Sequence, residues 1–353
     1  MSVLITIGIP VYNVELYVRE SIVSALEQDF SLPYEVLVVD DCGTDNSMDI
    51  VNDLVRNHPK GNLIRIIHHH TNKGLGLARN TIIDNAEGSY LAFLDSDDRL
   101  EPTALSCLYE AAEKTGSEIT VGEVTNVRGG SQWCRQHYPE MTVHHEHAGS
   151  FLLAQNACIP HIEWWGKLWS VQFLRSKGIR CVHRIMEDSI PDAIALLEAT
   201  CISMISNNVY FYNIREGSIL SESHSSEGKD ETILIYTDIF HKLQAIISDR
   251  YKDAPGVFDL YMLRVRYNMK ALALSRYSSS QIQLLDKELS GYLNVVPGLC
   301  HLHNKHDRLV LFCCRSKQTF ERYLYITQVF SKTVPGRILR NLLFLIPCKR
   351  YSR

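Results

Sequence analysis

Acidic residues gather where apolar stretches of this sequence end. Asp40-Asp41 follows the run Tyr34–Val39 and leads into Cys42-Gly43-Thr44-Asp45; Asp95-Ser96-Asp97-Asp98 follows Ser89–Leu94; Val3–Ile9 runs out in Pro10-Val11-Tyr12-Asn13. Asp95 and Asp97 stand two residues apart, and residues i and i+2 of an extended segment point the same way. Two carboxylates aimed together make a hard-oxygen site suited to Mg²⁺ or Mn²⁺. Such ions keep open positions for phosphate oxygens, so the pattern points to metal-assisted departure of a phosphate or diphosphate. The same residues also have a purely local account, because aspartate at a strand end caps the next helix or starts a turn. Gly74-Leu75-Gly76 is a weak phosphate signal. It follows the third strand rather than the first and lacks a third glycine, which argues against a nicotinamide dehydrogenase.

The elements that must position these residues alternate. Val3–Ile9, Tyr34–Val39, Leu63–Ile67, Ser89–Leu94 and Ile119–Glu123 read as strands. Between them lie helical stripes over Glu15–Gln28, from Asp45 through Val55, over Leu75–Asn85, and from Pro102 through Ala112. This order calls for βαβ units and an α/β fold, a mostly parallel sheet with helices on both faces. Ligands of open α/β sheets bind outside the carboxyl ends of the strands, so the acids converge on one edge. The five carboxylates of Asp40, Asp41, Asp95, Asp97 and Asp98 crowd there cheaply only if a cation or a proton answers them. Residues 126–160 show no clear period, and 161–215 return to mixed α/β. Beyond 230 the strand signals fade, and 230–250, 257–277, 280–294 and 305–345 read as helical. We expect a domain boundary near 225, with a nucleotide-binding half at 1–125, an acceptor-binding half at 126–225 and a helical region at 226–353.

The whole chain bounds these readings. Its 353 residues are 45% hydrophobic and 22% charged, an ordinary globular composition long enough for two domains. No apolar run approaches the ~20 residues of a membrane-spanning helix. The start, MSVLITIGIPVYN, lacks a basic region and a cleavage site, so a first strand rather than a signal peptide is expected there. A net charge of −4 is too mild for a nucleic-acid binder. Residues 331–353 nevertheless carry six basic side chains and no acid. Their apolar centre, Ile338–Ile346, suits an interfacial helix on an anionic membrane surface, or equally a helix docked on the body. The ten cysteines form no Cys-x-x-Cys pair; they read as reduced thiols of a cytoplasmic protein, with no zinc-ligand spacing. His68, His69 and His70 point to alternate faces of a strand and cannot easily share an ion. His144, His145 and His147 read as ordinary loop histidines. Trp164, Trp165 and Trp169 are core residues, or else Trp164 or Trp165 offers a face to a sugar acceptor.

Taken together, ITIGIPVYNVELYVRESIVSALEQ, EVLVVDDCGTDNS, NKGLGLARN and SYLAFLDSDD, in this order and spacing, resemble the family 2 glycosyltransferases of GT-A fold. WWGKLWSVQFLRSKGIRCVHRIMED resembles the downstream part of that family, so the likeness covers residues 3–215. It implies a Rossmann-like GT-A domain and an inverting transferase that uses a nucleotide sugar. Pro10, Tyr12 and Asp41 are then expected to hold the nucleotide base, supported by Asn13 and Asp40. Arg79 is expected to meet diphosphate or ribose, Asp95 and Asp97 to bind Mn²⁺ or Mg²⁺ with Asp98 extending the motif, and Asp188 to act as base with Glu187 beside it. Cys42 departs from the family's usual glycine. The Gln-x-x-Arg-Trp motif of processive relatives is absent, so a single sugar addition is expected. The donor expected is a UDP-hexose or UDP-N-acetylhexosamine. The acceptor expected is a glycan or lipid-linked glycan of a surface polysaccharide or lipopolysaccharide, at the inner face of the cytoplasmic membrane. The alternatives are a sugar-phosphate nucleotidyltransferase, whose Gly-rich loop after strand one is not seen, a glycoside hydrolase working without nucleotide, and a non-catalytic binding module.

Overall fold

Ten strands form one mixed sheet in the order β3-β2-β1-β4-β9-β6-β10-β5, with β7 paired to β6 and β8 to β10. The computed structural model describes residues 2–146, 148–149, 160–161, 163–181 and 187–215, with Ala245 beyond them. The expected boundary near 225, the helical region 226–353, the basic tail 331–353 and His147 lie outside the described residues. All the strands and helices described here belong to one compact unit. Among the described residues no helix is long and apolar enough to cross a membrane.

The first half follows the alternation of the sequence. The elements are β1 (Ile5–Val11), α1 (Val18–Leu26), β2 (Tyr34–Asp40), α2 (Ser47–Asn57), β3 (Ile64–His68), α3 (Leu75–Asn85), β4 (Tyr90–Phe93), β5 (Arg99–Leu100) and α4 (Ala104–Thr115). β1 runs parallel to β2 and β4, and β2 parallel to β3, so the ends of β1, β2 and β4 do lie along one edge. The side-chain period of two divides the core. Ile5, Ile7, Ile9, Val36 and Val38 pack with α1, α2 and α4, whereas Leu37, Val39, Leu91 and Phe93 pack with α3. Gly8 lets α3 approach closely: a Cβ there would lie 2.3 Å from Ile82 Cγ2.

The second half is β6 (Ile119–Arg128), β7 (Ser131–Gln136), β8 (Met141–His144), β9 (Lys167–Ser170), α5 (Val171–Ser176), α6 (Ser189–Glu198) and β10 (Cys201–Asn213). β9 inserts antiparallel between β4 and β6, and β10 runs parallel to β6. The stretch that showed no period therefore contains the end of β6, β7 and β8. β7 is largely exposed, so it carries no apolar alternation that a sequence could display.

Candidate active site

The turn after β4 is built by its partners on β10. Asp98 is buried, 1% exposed. One of its carboxylate oxygens accepts from Tyr210 OH at 2.8 Å and the other from the Asn213 backbone N–H at 2.6 Å. Tyr210 OH also accepts from the Asp95 backbone N–H at 3.1 Å. Burial, with Asp97 and Asp95 close by, raises the Asp98 carboxyl well above the usual carboxylate range. Asp98 is thus a strut between the β4 turn and β10. Each of its oxygens, expected from the sequence to extend a metal site, accepts a hydrogen bond inside the protein.

Asp95 and Asp97 stay near the surface of the edge, and each is answered by a guanidinium. Arg79 Nη2 donates to Asp95 Oδ1 at 2.7 Å and Arg215 Nε to Asp97 Oδ2 at 2.7 Å. Burial and the Asp95 charge raise the Asp97 carboxyl, against the pull of Arg215. Two hard-oxygen donors that need cations beside them fit Mg²⁺ or Mn²⁺. Asp95 and Asp97 are the residues that would hold such an ion. A groove of about 150 Å³ opens beside Asp97, between Tyr17, Glu20, Arg99 and Asn213.

Arg79 does not face open diphosphate space. Its side chain is 2% exposed and bridges Asp95 to Glu187. Burial opposes its charge, and Asp95, Glu187 and Asp188 more than restore it. The guanidinium, expected from the sequence to meet diphosphate or ribose, fastens the start of α6 to the turn after β4. Glu187 is buried, and burial raises its carboxyl against the pull of Arg79. Asp188, partly buried, stands at the N-cap of α6, where its side chain makes no capping bond. Burial and the Glu187 charge hold its carboxyl well above the ordinary range, against the pull of Arg79. A carboxylate with a raised pKa and no capping duty has the chemistry of a proton acceptor.

A third cluster sits where β1 and β2 end. Tyr12 is 47% exposed. Asn13 takes a left-handed φ of 51° and accepts from the Thr44 N–H at 2.7 Å, a conformation that asparagine tolerates. Asp40 pairs with His68 at 2.8 Å and accepts from the Cys42 N–H at 3.0 Å. Asp41 is buried and accepts from His69 Nδ1 at 2.7 Å, Lys73 N–H at 2.9 Å and Gly74 N–H at 2.8 Å. It therefore holds the loop that opens α3, at Gly74 with φ 88°. Pro10 is buried within β1. The exposed groups here are Tyr12 and Asn13, while Asp41 and Pro10 shape the wall behind them. His68 and His69 go to different aspartates, in keeping with alternate faces.

The tryptophans are core. Trp164 is 0% exposed, between Phe93 at 5.1 Å and Trp169 at 5.3 Å. Trp165 stacks on His161, Tyr210 and Tyr212. Neither offers a free face, so the expected sugar platform is corrected to packing. Behind Asp188 lies a buried pair missed in the sequence: Lys167 Nζ reaches Asp192 Oδ1 at 2.5 Å, both side chains 0% exposed. Burial lifts Asp192 to about 7, against the pull of Lys167. Tyr210, Asn213 and Arg215 were missed too. No spacing signal could have found them, since β10 lies more than a hundred residues beyond Asp95.

The mixed sheet is that of the GT-A fold. Residues 6–168 match the family described as glycosyl transferase family 2. The chain is 26% identical over 234 residues to glycosyltransferase GlyG of Streptococcus pneumoniae, covering 62% of this chain and 74% of GlyG. It is 30% identical over 226 residues to the poly(ribitol-phosphate) beta-N-acetylglucosaminyltransferase TarS of Staphylococcus aureus, covering 62% of this chain but 37% of TarS. A crystal structure of S. aureus TarS 1-349 in complex with UDP-GlcNAc superposes with a TM-score of 0.68 at 22% identity, covering 94% of this chain and 95% of that one.

Proposed function

We propose that this chain is an inverting transferase that moves one sugar from a UDP-linked donor, a hexose or N-acetylhexosamine, to a hydroxyl of a glycan or polyol-phosphate acceptor of a surface polymer. The observation that carries the reading is the Arg79 bridge, which draws Asp95 and the Glu187-Asp188 pair to one edge. The relatives add the substrate class: TarS and a poly(ribitol-phosphate) beta-glucosyltransferase of Bacillus spizizenii, 36% identical over 126 residues, are named for such acceptors.

In this reading Tyr12 and Asn13 receive the nucleotide base at the ends of β1 and β2. Asp95 and Asp97 hold a divalent cation that supplies charge stabilisation to the departing diphosphate. Asp188 accepts the proton of the acceptor hydroxyl as its oxygen bonds to the anomeric carbon. The bond from that carbon to the diphosphate oxygen breaks on the opposite face. An α-linked donor then yields a β-linked product, the nucleoside diphosphate leaves, and Asp188 returns its proton to solvent. Glu187 and Arg79 hold Asp188 in place.

Calorimetric titration of UDP, GDP and dTDP, each with Mn²⁺ and with EDTA, tests the donor site. Metal-dependent binding of UDP that is lost in Asp95→Ala/Asp97→Ala is expected. Absence of binding by all three nucleotides overturns the reading. Turnover of UDP-glucose against UDP-N-acetylglucosamine then ranks the sugars.

A further inference from the structure

The β6–β7 hairpin gathers a thiol, an imidazole and a carboxylate at one point. Glu123 lies buried on β6, Cys134 on β7, and His137 just past the end of β7. Cys134 Sγ stands 3.4 Å from Glu123 Oε2, and His137 Nδ1 stands 3.1 Å from the same oxygen. One ligand atom from each of the three residues falls within 4.8 Å of the others. A register shift produces this convergence. Cys134 pairs with Thr125 and Gln136 with Val124, so Arg135 is an inserted residue, and bulges of this kind bend a strand and re-aim its side chains.

We propose that Glu123, Cys134 and His137 form a Zn²⁺ site with three protein ligands and an open fourth position. In tetrahedral zinc with bonds of about 2.0–2.3 Å, neighbouring ligand atoms lie roughly 3.2–3.7 Å apart, close to the separations above. The Tyr138 N–H donates to Glu123 Oε1 at 2.9 Å. That bond orients the carboxylate, whose Oε2 meets the thiol while the imidazole Nδ1 lies 3.2 Å from Oε1 and 3.1 Å from Oε2, the second-sphere arrangement that metal ligands use. The His137 side chain is 83% exposed, so an ion has access. On binding, the Cys134 thiol gives its proton to solvent and the thiolate bonds the metal. Sulfur and nitrogen donors separate this site from the all-oxygen pair Asp95 and Asp97. Cysteine spacing gives no zinc signal because the ligands are a Cys-x-x-His step that runs from β7 past its end, with the third ligand on the neighbouring strand β6. The site pins the strand that carries Arg135, whose guanidinium packs over Trp165 at 5.2 Å and Tyr212 at 5.6 Å.

The test uses the full chain, stripped with chelator and titrated with Co²⁺ and then Zn²⁺. A thiolate-to-cobalt charge-transfer band that saturates at a single equivalent and is displaced by Zn²⁺ is expected. The band should vanish in Cys134→Ser, and affinity should fall by about 10–100-fold or more in His137→Ala. Asp95→Asn/Asp97→Asn should keep the band, which separates this site from the acidic edge. Zn²⁺ should raise the melting temperature of the wild type and leave that of Cys134→Ser unchanged; unaltered metal-free circular dichroism shows that the variant folds. No charge-transfer band in the wild type, or a band that survives in Cys134→Ser, overturns the proposal and leaves the three groups as a hydrogen-bonded cluster.

Discussion

Asp188 is where the chemistry of single residues decides most. Its carboxyl works as a base only when deprotonated, and burial and Glu187 push its proton affinity up. The logarithm of kcat/KM should therefore rise with pH to a plateau, with the rising limb above the ordinary aspartate range near pH ~4. Glu187→Gln removes a negative neighbour and frees Arg79, and both changes favour the ionised Asp188. The rising limb should move to lower pH, and an unmoved limb would assign the titration to another group. Asp188→Asn should lower kcat by about 10²–10⁴-fold while the donor dissociation constant, measured calorimetrically, stays unchanged. A loss of donor affinity matching the loss of rate would make Asp188 a binding residue instead.

At the level of elements, the site depends on how α6 and β10 are fastened to the sheet. The Lys167–Asp192 pair ties β9 to the first turn of α6, since the Asp192 N–H also donates to the Asp188 carbonyl at 2.9 Å. Lys167→Met leaves a buried carboxylate unanswered and should cost about 3–5 kcal/mol in urea unfolding. Lys167→Met/Asp192→Leu should recover most of that loss, because two apolar groups of similar volume need no counter-charge. Equal losses in both variants would mean that packing, not charge, is at stake. On the same face of the sheet, Gly8→Ala forces a shift of Ile82 and should cost about 1–3 kcal/mol. The expected result is a lower urea midpoint with an unchanged m-value.

For the molecule as a whole, the proposed donor site draws on both halves of the sheet. Tyr12, Asp41 and Asp95 follow the parallel strands β1, β2 and β4, while Tyr210, Asn213 and Arg215 arrive with β10. A ligand that bridges such parts stabilises the native state by mass action, about 2.7 kcal/mol at a hundred times its dissociation constant. UDP with Mn²⁺ together should raise the melting temperature more than the sum of either alone. Asp95→Asn/Asp97→Asn should abolish the surplus. A surplus that persists in the variant would place the metal elsewhere.

The parallel half was legible in the sequence for a physical reason. β1, β2 and β4 are largely buried apolar runs, β1 and β2 rich in β-branched residues, α1 to α4 carry apolar stripes, and acids at strand ends must share an edge. Leu75–Asn85 was placed to the residue. β7 was not legible, because an exposed strand held by backbone pairing has no apolar period to show. The roles of side chains divided along the same line. That Asp95, Asp97, Glu187 and Asp188 are candidates for chemistry follows from their types and motifs. That Asp98 and Asp41 face inward, that Arg79 reaches Glu187, and that Trp164 and Trp165 pack on Phe93 and Tyr210 follows from partners 28 to 115 residues away. Residue type and local spacing are properties of the chain. The direction of a carboxylate, and the charge that answers it, depend on which distant strand the fold brings alongside.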